Sequence, residues 1–206
     1  MPAKKSSSNK SQYHHGDLRF ALLQAAKEIL QEEGVEQLTL RETARAVGVS
    51  HAAPYRHFAD KTELLAELAT EGFYHLKEAL HLDEPATGGD HLEELGFAYV
   101  SFAIQNSHLY RLMFGPHLQD KTPYPKLEQA AEDTFATLVD FLQRGQDQGY
   151  FKTGDSRERG IVLWSLMHGL ANLVIDGQVA PENPMALGTS VAHFVRDALA
   201  PKGVSA

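Results

Sequence analysis

Residues 39–61 read TLRETARAVGVSHAAPYRHFADK, and this stretch has the features of two short helices joined by a tight turn. Thr39 followed three residues later by Glu42 forms a capping box, in which the Thr hydroxyl accepts a backbone N–H and the Glu side chain reaches back to Thr39. Gly48 supplies the positive φ that ends a helix without a steric penalty from Cβ. A helix of about two turns is therefore predicted between Thr39 and Gly48.

A second helix of similar length is predicted immediately after this turn. Ser50 is a good N-cap, and Pro54 lies in the first turns, where its missing N–H removes one bond. Pro54 and Phe58 are four residues apart and are expected to face inward. The side chains left to face outward are those of His51, Ala52, Tyr55, Arg56 and His57. Two short helices around a glycine turn indicate a helix-turn-helix.

This stretch resembles the N-terminal domain of the TetR family of transcriptional regulators. The family pattern has a capped helix, a Gly-Val turn, Tyr-x-His-Phe and a Lys just inside the next helix. In this chain the pattern is matched by Thr39, Gly48-Val49, Tyr55-Arg56-His57-Phe58 and Lys61. Asp60, with Glu63 three positions on, is predicted to cap that next helix. The resemblance implies a regulator that binds DNA.

The rest of the chain shows the 3.6-residue apolar period of helices. A first helix ends at Gly34, and a longer one runs from Asp60 to about His81, before Pro85 and Gly88-Gly89 break the chain. Later helices are predicted at about residues 91–105, 108–114, 124–148, 155–176 and from 184 onward. No segment reads as a strand. The predicted fold is all-α, with about nine helices.

The net charge differs in sign between the N-terminal part of the chain and the rest. Residues 1–61 contain nine Lys/Arg and seven Asp/Glu, a net charge of +2, whereas the remainder contains ten and twenty, a net charge of -10. A basic end favours phosphate, and an acidic body reduces non-specific binding to DNA. The organisation expected is a disordered basic arm at residues 1–12, a helix-turn-helix domain at 13–61, and a helical ligand-binding and dimerisation domain at 62–200. The arm is either a solvated tail or a minor-groove contact.

The DNA-binding side chains are predicted from their chemistry and from the resemblance. A ring nitrogen of His51 can meet guanine N7 or O6, and the methyl groups of Ala52 and Ala53 can contact thymine. The resemblance implies that Tyr55, His57 and Lys61 contact the sugar-phosphate backbone, with Thr39 contributing its hydroxyl or a helix-start N–H. Arg56 could do either, and Ser50 belongs to the same surface. Tyr55 as a partly buried aromatic and His57 as a helix cap remain alternatives.

Two segments of the body resemble a subgroup of the family. His108-Leu109-Tyr110-Arg111-Leu112-Met113-Phe114-Gly115 resembles its Arg-Leu-Met-Phe helix, and Trp164, His168 and Gly169 resemble its Trp-x-x-x-His-Gly signature. The predicted ligand-binding residues are Trp164 and His168, with Phe97, Ser101, Met113, Phe114, Phe135 and Val139 as further lining. Trp164 and His168 could equally be core side chains whose N–H groups are satisfied.

The function predicted is that of a homodimeric repressor that binds a palindromic operator and is released by a small, largely apolar inducer. The resemblance implies that the last two helices pair with those of a second subunit. The two helix-turn-helix domains of the dimer, called heads below, would then lie one DNA turn, about 34–36 Å, apart. A regulator that responds to a protein partner, or acts without a ligand, is the alternative. No cofactor or metal is expected, because the histidine spacing lacks His-Glu-x-x-His, and no Gly-rich phosphate loop or nucleophile elbow marks an enzyme. With no cysteine, no signal-like apolar run and no membrane-length segment, we expect a cytoplasmic protein.

Overall fold

The computed structural model describes residues 15–80 and 90–201. In these two ranges the chain forms eight α-helices and two short 3₁₀ helices, with no strand, so the predicted all-α class is confirmed. By backbone packing the chain divides into two compact units between Leu64 and Leu65. The predicted basic arm and the Pro85 to Gly89 break lie outside the described residues.

The first unit is built from two helices and a 3₁₀ turn. Helix α1 covers His15–Glu33, α2 covers Leu40–Val47, and a 3₁₀ helix covers Pro54–Arg56. Helix α3, Lys61–Leu80, begins in this unit and continues into the second. The core consists of apolar side chains, and those that are fully buried are Leu22, Ala26, Leu30, Leu38, Ala44, Phe58 and Leu64. This core supports the segment between α2 and α3.

The ends of α2 are fixed largely as the sequence predicts. Thr39 caps the helix, since its Oγ1 accepts the backbone N–H of Glu42 at 3.1 Å. Gly48 adopts φ 74°, and its N–H donates to the carbonyl of Arg45 at 3.1 Å. The predicted hydrogen bond from the backbone of Thr39 to the Glu42 side chain is not formed. The Glu42 carboxylate instead accepts from the Arg45 guanidinium at 2.8 Å. The charged partner one turn along the helix is the stronger donor.

The prediction of a second α-helix after Ser50 is also wrong, since the chain there forms a turn followed by the 3₁₀ helix Pro54–Arg56. Pro54 has no N–H to donate to the Ser50 carbonyl, so that carbonyl accepts from Ala53 at 2.9 Å, three residues on. The Ala53 carbonyl in turn accepts from Arg56 at 3.2 Å. These bonds have the tighter 3₁₀ spacing, and the N-cap is Ala53 and not Ser50. This segment accounts for the ninth helix of the prediction.

The second unit contains the remaining helices. They are α4 (Asp90–Gln105), α5 (Ser107–Phe114), a 3₁₀ helix (Pro116–Leu118), α6 (Pro125–Asp147), α7 (Ser156–Ile175) and α8 (Pro184–Leu199). Asp155 caps α7, since its carboxylate accepts the N–H of Glu158 at 3.0 Å, and Asn183 caps α8 through the N–H of Ala186 at 3.1 Å. Both starts agree with the sequence prediction. None of the helices between residues 15 and 80 or 90 and 201 has the length and hydropathy that crossing a membrane requires.

Helices α4 and α8 cross at two glycines. A Cβ built on Gly188 would lie 2.5 Å from the carbonyl oxygen of Gly96, and a Cβ on Gly96 would lie 2.8 Å from the Cβ of Ala192. The absence of side chains at both glycines is therefore what allows the two backbones to touch. This contact fixes α8 against a helix that also forms part of the cavity described below.

Candidate functional site

The segment between α2 and α3 separates buried anchors from exposed side chains. Pro54 is buried, and Phe58 is only 1% exposed, as predicted. Four side chains face solvent, those of His51, Ala52, Tyr55 and Arg56, while Ala53 and His57 are half-buried. The predicted residues His51, Ala52, Tyr55 and Arg56 thus lie exposed on one short segment of the first unit. Of the other predicted residues, Ser50 is exposed just before this segment, whereas Thr39 at the start of α2 and Lys61 at the start of α3 are half-buried.

Two hydrogen bonds and one cation–π contact hold this segment in position. The carbonyl of Pro54 accepts N–H bonds from both His57, at 2.9 Å, and Phe58, at 3.0 Å. The guanidinium of Arg19 on α1 lies over the Phe58 ring, 5.1 Å from its centroid. Because a buried ring and a cyclic residue anchor the chain, the outward side chains start from a stiff backbone.

Lys61 and His57 have geometries that the sequence did not indicate. The Lys61 ammonium donates to the carbonyl of Val35, in the loop after α1, at 2.7 Å. An ammonium has three N–H donors, so two remain for another acceptor. The Nε2 of His57 is enclosed and has no hydrogen-bond partner among the described residues. The ring therefore keeps unused hydrogen-bonding capacity at the edge of the exposed segment.

The second unit contains a partly open cavity of about 140 Å³. This is close to the roughly 150 Å³ of an engineered apolar cavity that admits benzene, so it can hold a ring or a short alkyl group. Five aromatic side chains line it, those of Phe73, Tyr99, Phe114, Phe135 and Trp164. The rest of the wall is mostly aliphatic and consists of Leu76, Leu80, Leu92, Leu95, Gly96, Lys121, Ala131, Thr134, Leu138, Leu163 and Met167.

Three of the eight predicted ligand-binding residues line this cavity, namely Phe114, Phe135 and Trp164. The other five lie outside its wall. Phe97 follows the wall residue Gly96 on α4 and is rotated away from it, so that its side chain is 49% exposed. Ser101 is half-buried, and its enclosed Oγ has no partner among the described residues.

The three remaining predicted residues pack elsewhere in the second unit. Met113 is buried with its Sδ against Gly72, 2.7 Å from where a Cβ of that glycine would stand. Val139 faces α7 and would lie 3.4 Å from a Cβ on Gly160. His168 packs edge to face against Phe114, with ring centroids 4.8 Å apart, and its Nδ1 is hydrogen-bonded to the hydroxyl of Tyr110.

A chain of hydrogen bonds crosses the second unit beside the cavity. The indole N–H of Trp164 donates to the hydroxyl of Tyr99 at 3.2 Å, and that hydroxyl lies 3.0 Å from the hydroxyl of Tyr110. The Tyr110 hydroxyl lies 2.6 Å from Nδ1 of His168. Trp164 can only donate, so the bonds run in one direction when each tyrosine donates to the next group and His168 accepts. Neither Tyr99 nor Tyr110 is among the predicted ligand-binding residues, although Tyr110 lies within the segment from His108 to Gly115 that resembles the subgroup.

Burial disfavours the charged form of each titratable member of this hydrogen-bond chain. Desolvation raises the pKa of Tyr99 to about 12, and it raises the pKa of Tyr110 far above its usual value. Desolvation also lowers the pKa of His168 below its usual 6.5. A neutral imidazole has one acceptor nitrogen, and in the Nε2–H tautomer of His168 it is Nδ1, so this tautomer agrees with the direction of the hydrogen bonds.

An apolar face of α7 lies open to solvent in the isolated chain. Val162, Leu166 and Leu173 are 53%, 41% and 46% exposed, and their spacing places them on one side of the helix. Gly169 lies between Leu166 and Leu173, and a Cβ there would meet no atom within 4 Å in the part of the chain that the structure describes. On α8, Phe194 is 70% exposed. Aliphatic side chains at this spacing are typical of a helix that packs against another.

No group of three or more His, Cys, Asp or Glu side chains that could hold a metal ion occurs in residues 15–80 and 90–201.

Two family models match the chain. Residues 22–68 match that of the bacterial regulatory proteins of the tetR family, and residues 92–198 match that of the tetracyclin repressor-like C-terminal domain. Among known proteins, the HTH-type transcriptional repressor KstR2 of Mycobacterium tuberculosis is 30% identical over 139 residues, which cover 65% of this chain and 69% of that protein. The nucleoid occlusion factor SlmA of Marinobacter nauticus is 29% identical over 139 residues, 66% of this chain and 70% of that one.

Solved structures show the same fold. A protein of unknown function from Rhodococcus sp. RHA1 superposes with a TM-score of 0.82 and 32% identity, covering 93% of this chain and 100% of the other. The TetR family transcriptional regulator PfmR of Thermus thermophilus superposes with a TM-score of 0.67 and 22% identity, covering 85% of this chain and 97% of the other. The second likeness, at this identity, supports the fold alone.

Proposed function

The chain belongs to the TetR family of bacterial regulatory proteins, and we propose that it acts as a homodimeric repressor released from a palindromic operator by a small ligand. It is a DNA-binding transcriptional regulator and not an enzyme. The observation that carries the ligand-responsive part is the largely apolar cavity in the second unit. A regulator that acts on DNA is expected in the cytoplasm.

The DNA contacts are proposed on the exposed segment between α2 and α3. His51 reads a purine edge, Ala52 and Ala53 contact thymine methyl groups, and Arg56 serves either a base or a phosphate. The backbone contacts are assigned to Thr39, Ser50, Tyr55, His57 and Lys61. This assignment is supported by the exposure of His51, Ala52, Tyr55 and Arg56 around the buried Pro54 and Phe58. Because few polar side chains are available to contact bases, the sequence specificity of this domain is proposed to depend in part on DNA shape.

The dimer is proposed to form through α7 and α8. Support comes from the exposed stripe Val162, Leu166 and Leu173, and from the open space over Gly169. Because a Cβ on Gly169 would meet nothing among the described residues, the backbone of a second copy could approach closely there. Two copies paired on this stripe would carry two heads, as a palindrome requires.

Release is proposed to act through α3. The helix begins with Lys61, assigned here to the DNA backbone, and its later residues Phe73, Leu76 and Leu80 line the cavity. A ligand packed against these three side chains would bias the position of one continuous helix. Ligand and operator must then couple by a differential affinity for two states, typically about 1–3 kcal/mol.

Selection of bound sequences from random duplex DNA by the purified chain tests the central claim. We expect enrichment of a palindrome with half-sites about one DNA turn apart, protected as a single footprint. Enrichment of unpaired half-sites would contradict the dimer. No enrichment of any sequence, from protein that is folded and binds DNA in low salt, would contradict sequence-specific regulation altogether.

The second candidate is a regulator released by a protein partner. The exposed stripe on α7 favours it, because such a face could receive another protein instead of a second copy. Sedimentation of the free chain separates the two functions. A stable dimer occupies the stripe and favours the ligand-responsive repressor, whereas a monomer that binds operator half-sites would leave the stripe to a partner.

A further inference from the structure

The cavity wall has one charged group. Among the described residues that line it, Lys121 is the only one with a formal charge, and no carboxylate belongs to the wall. Lys121 lies in the loop between the 3₁₀ helix Pro116–Leu118 and α6, and its side chain is half-buried. Nearly all of the rest of the wall is aliphatic or aromatic. A single cation beside such a wall is the arrangement that binds an apolar body with one charged head.

The other polar groups of the wall already have hydrogen-bond partners within the protein. Thr134 donates its hydroxyl to the carbonyl of Ala130 at 2.8 Å. The Tyr99 hydroxyl accepts from Trp164 at 3.2 Å and contacts the hydroxyl of Tyr110 at 3.0 Å. These bonds leave little capacity for a ligand, so any strong polar contact must come from the Lys121 ammonium.

The ammonium of Lys121 has no acidic partner among the described residues. Its neighbour Asp120 is turned to its own loop, where its carboxylate accepts the N–H of Thr122 at 3.0 Å. Unlike Lys61, which donates to a backbone carbonyl, Lys121 makes no internal side-chain hydrogen bond in residues 15–80 and 90–201. Its three donors are therefore available to a group that enters from outside.

We propose that the ligand is a monoanionic amphiphile, with an apolar body in the cavity and a carboxylate-like head at Lys121. The proposal rests on the ligand-responsive function above and names the chemical class that this site selects. Residues 62–206 carry ten basic and twenty acidic side chains, which disfavour an anion at long range, but salt screens this repulsion beyond about 8 Å. Contact with Lys121 is what distinguishes the anion from a neutral or cationic ligand of the same shape.

Trp164 provides the readout, because it is the only tryptophan of the chain and lines the cavity. Octanoate, octanol and octylamine share one alkyl body and differ in the charge of the head. Each is titrated against the full-length protein, with Trp164 fluorescence reporting occupancy and operator binding reporting release. The variants are Lys121→Gln, which removes the charge, and Lys126→Gln, which removes an exposed charge of the same sign outside the wall.

We expect octanoate to bind more tightly than octanol by roughly fivefold, and octylamine to bind most weakly. Lys121→Gln should remove the preference for octanoate, and Lys126→Gln should preserve it. Equal binding of octanoate and octanol, or a preference that survives Lys121→Gln, would overturn the anionic class while leaving a ligand-binding cavity intact. If none of the three compounds changes Trp164 fluorescence or operator binding, the anionic class and the ligand-responsive function are both overturned.

Discussion

The hydroxyl oxygen of Tyr110 on α5 lies 2.6 Å from Nδ1 of His168 on α7. Tyr110 is fully buried, and its hydroxyl also contacts that of Tyr99 on α4 at 3.0 Å. One buried oxygen therefore links three helices that all contribute to the cavity wall, and one of them, α7, also carries the exposed apolar stripe. Buried hydrogen-bonded networks of this kind rigidify a core when every member is satisfied.

Removing the Tyr110 hydroxyl tests how much these hydrogen bonds contribute to the stability of the fold. Tyr110→Phe keeps the ring but leaves Nδ1 of His168 and the hydroxyl of Tyr99 each without one partner. We expect the free energy of unfolding to fall by about 1–3 kcal/mol, measured by urea denaturation. Tyr150→Phe, at a tyrosine that is 44% exposed, is the matched control and should change it by less than about 0.5 kcal/mol. Equal small effects at both positions would show that the network contributes nothing.

The lowered pKa of His168 makes stability depend on pH in a defined direction. Above about pH 6.5 the imidazole is neutral in both the folded and unfolded chains, so its contribution is constant. Below that pH the unfolded chain binds the proton more readily than the folded one, and stability falls as pH decreases toward the lowered pKa. His168→Gln retains an acceptor for Tyr110 but does not titrate. The loss of melting temperature between pH 7.5 and 5.5 should therefore be smaller in this variant, and an equal or larger loss would contradict the assignment.

The crossing of α4 and α8 should not tolerate a methyl group. Gly96→Ala places its Cβ 2.8 Å from that of Ala192 and against the backbone of Gly188, so the helices must separate. We expect a loss of about 1–3 kcal/mol in the free energy of unfolding, the usual effect of overpacking. Ser190→Ala, on the exposed side of α8, adds no volume at the crossing and serves as the control. A stabilised Gly96→Ala variant would show that helix propensity outweighs the contact.

A charge on the exposed stripe of α7 should prevent dimerisation without unfolding the chain. Leu166 is 41% exposed in the isolated chain, so Leu166→Glu removes few internal contacts. In the proposed dimer the same carboxylate would be buried without a partner, at a cost of several kcal/mol. Sedimentation should show a monomer with weakened operator binding, while circular dichroism stays unchanged. Ala136→Glu, at an exposed position of α6, should remain dimeric, and a dimeric Leu166→Glu would exclude the stripe as the interface.

His51 and Lys61 should affect DNA binding in different ways. His51→Ala is expected to relax preference at one position of each half-site and to weaken operator binding by about 1–3 kcal/mol. Lys61→Ala is expected to weaken all sequences alike and to reduce the salt slope by about one unit per head. Because Lys61 also donates to the Val35 carbonyl, the melting temperature of this variant has to be measured beside its affinity. Equal effects of His51→Ala on operator and random DNA would contradict its role as a base reader.

Capping and glycine rules correctly predict four helix ends from the neighbouring residues alone. Thr39, Gly48, Asp155 and Asn183 mark boundaries in the structure as they do in the sequence, because each acts through a hydrogen bond or dihedral within four residues. The segment at Pro54 was misjudged by the same kind of reasoning. Its apolar spacing fits both an α-helix and a 3₁₀ turn, and the missing N–H selects the turn.

The cavity was less predictable from the sequence, since its wall is made of the same residue types as the core. Leu76 and Leu80 have the helical spacing of core residues, and only the three-dimensional arrangement shows that they border an open space. Phe97 was predicted in the wall for its aromatic ring, yet a rotation of one residue along α4 exposes it and places Gly96 there instead. Lys121 lies in a loop without periodicity, where sequence patterns carry no positional information.

The alternation of Pro54 and Phe58 with exposed neighbours has a consequence for how such a regulator can diverge. The two buried residues carry the stability of the segment, whereas His51, Ala52, Tyr55 and Arg56 make few internal contacts. Substitutions at the exposed positions can therefore accumulate after gene duplication at little cost in folding, so paralogues could acquire new target sequences while retaining one scaffold. The same separation makes these four positions the natural set to randomise when the regulator is to be redirected to a chosen promoter.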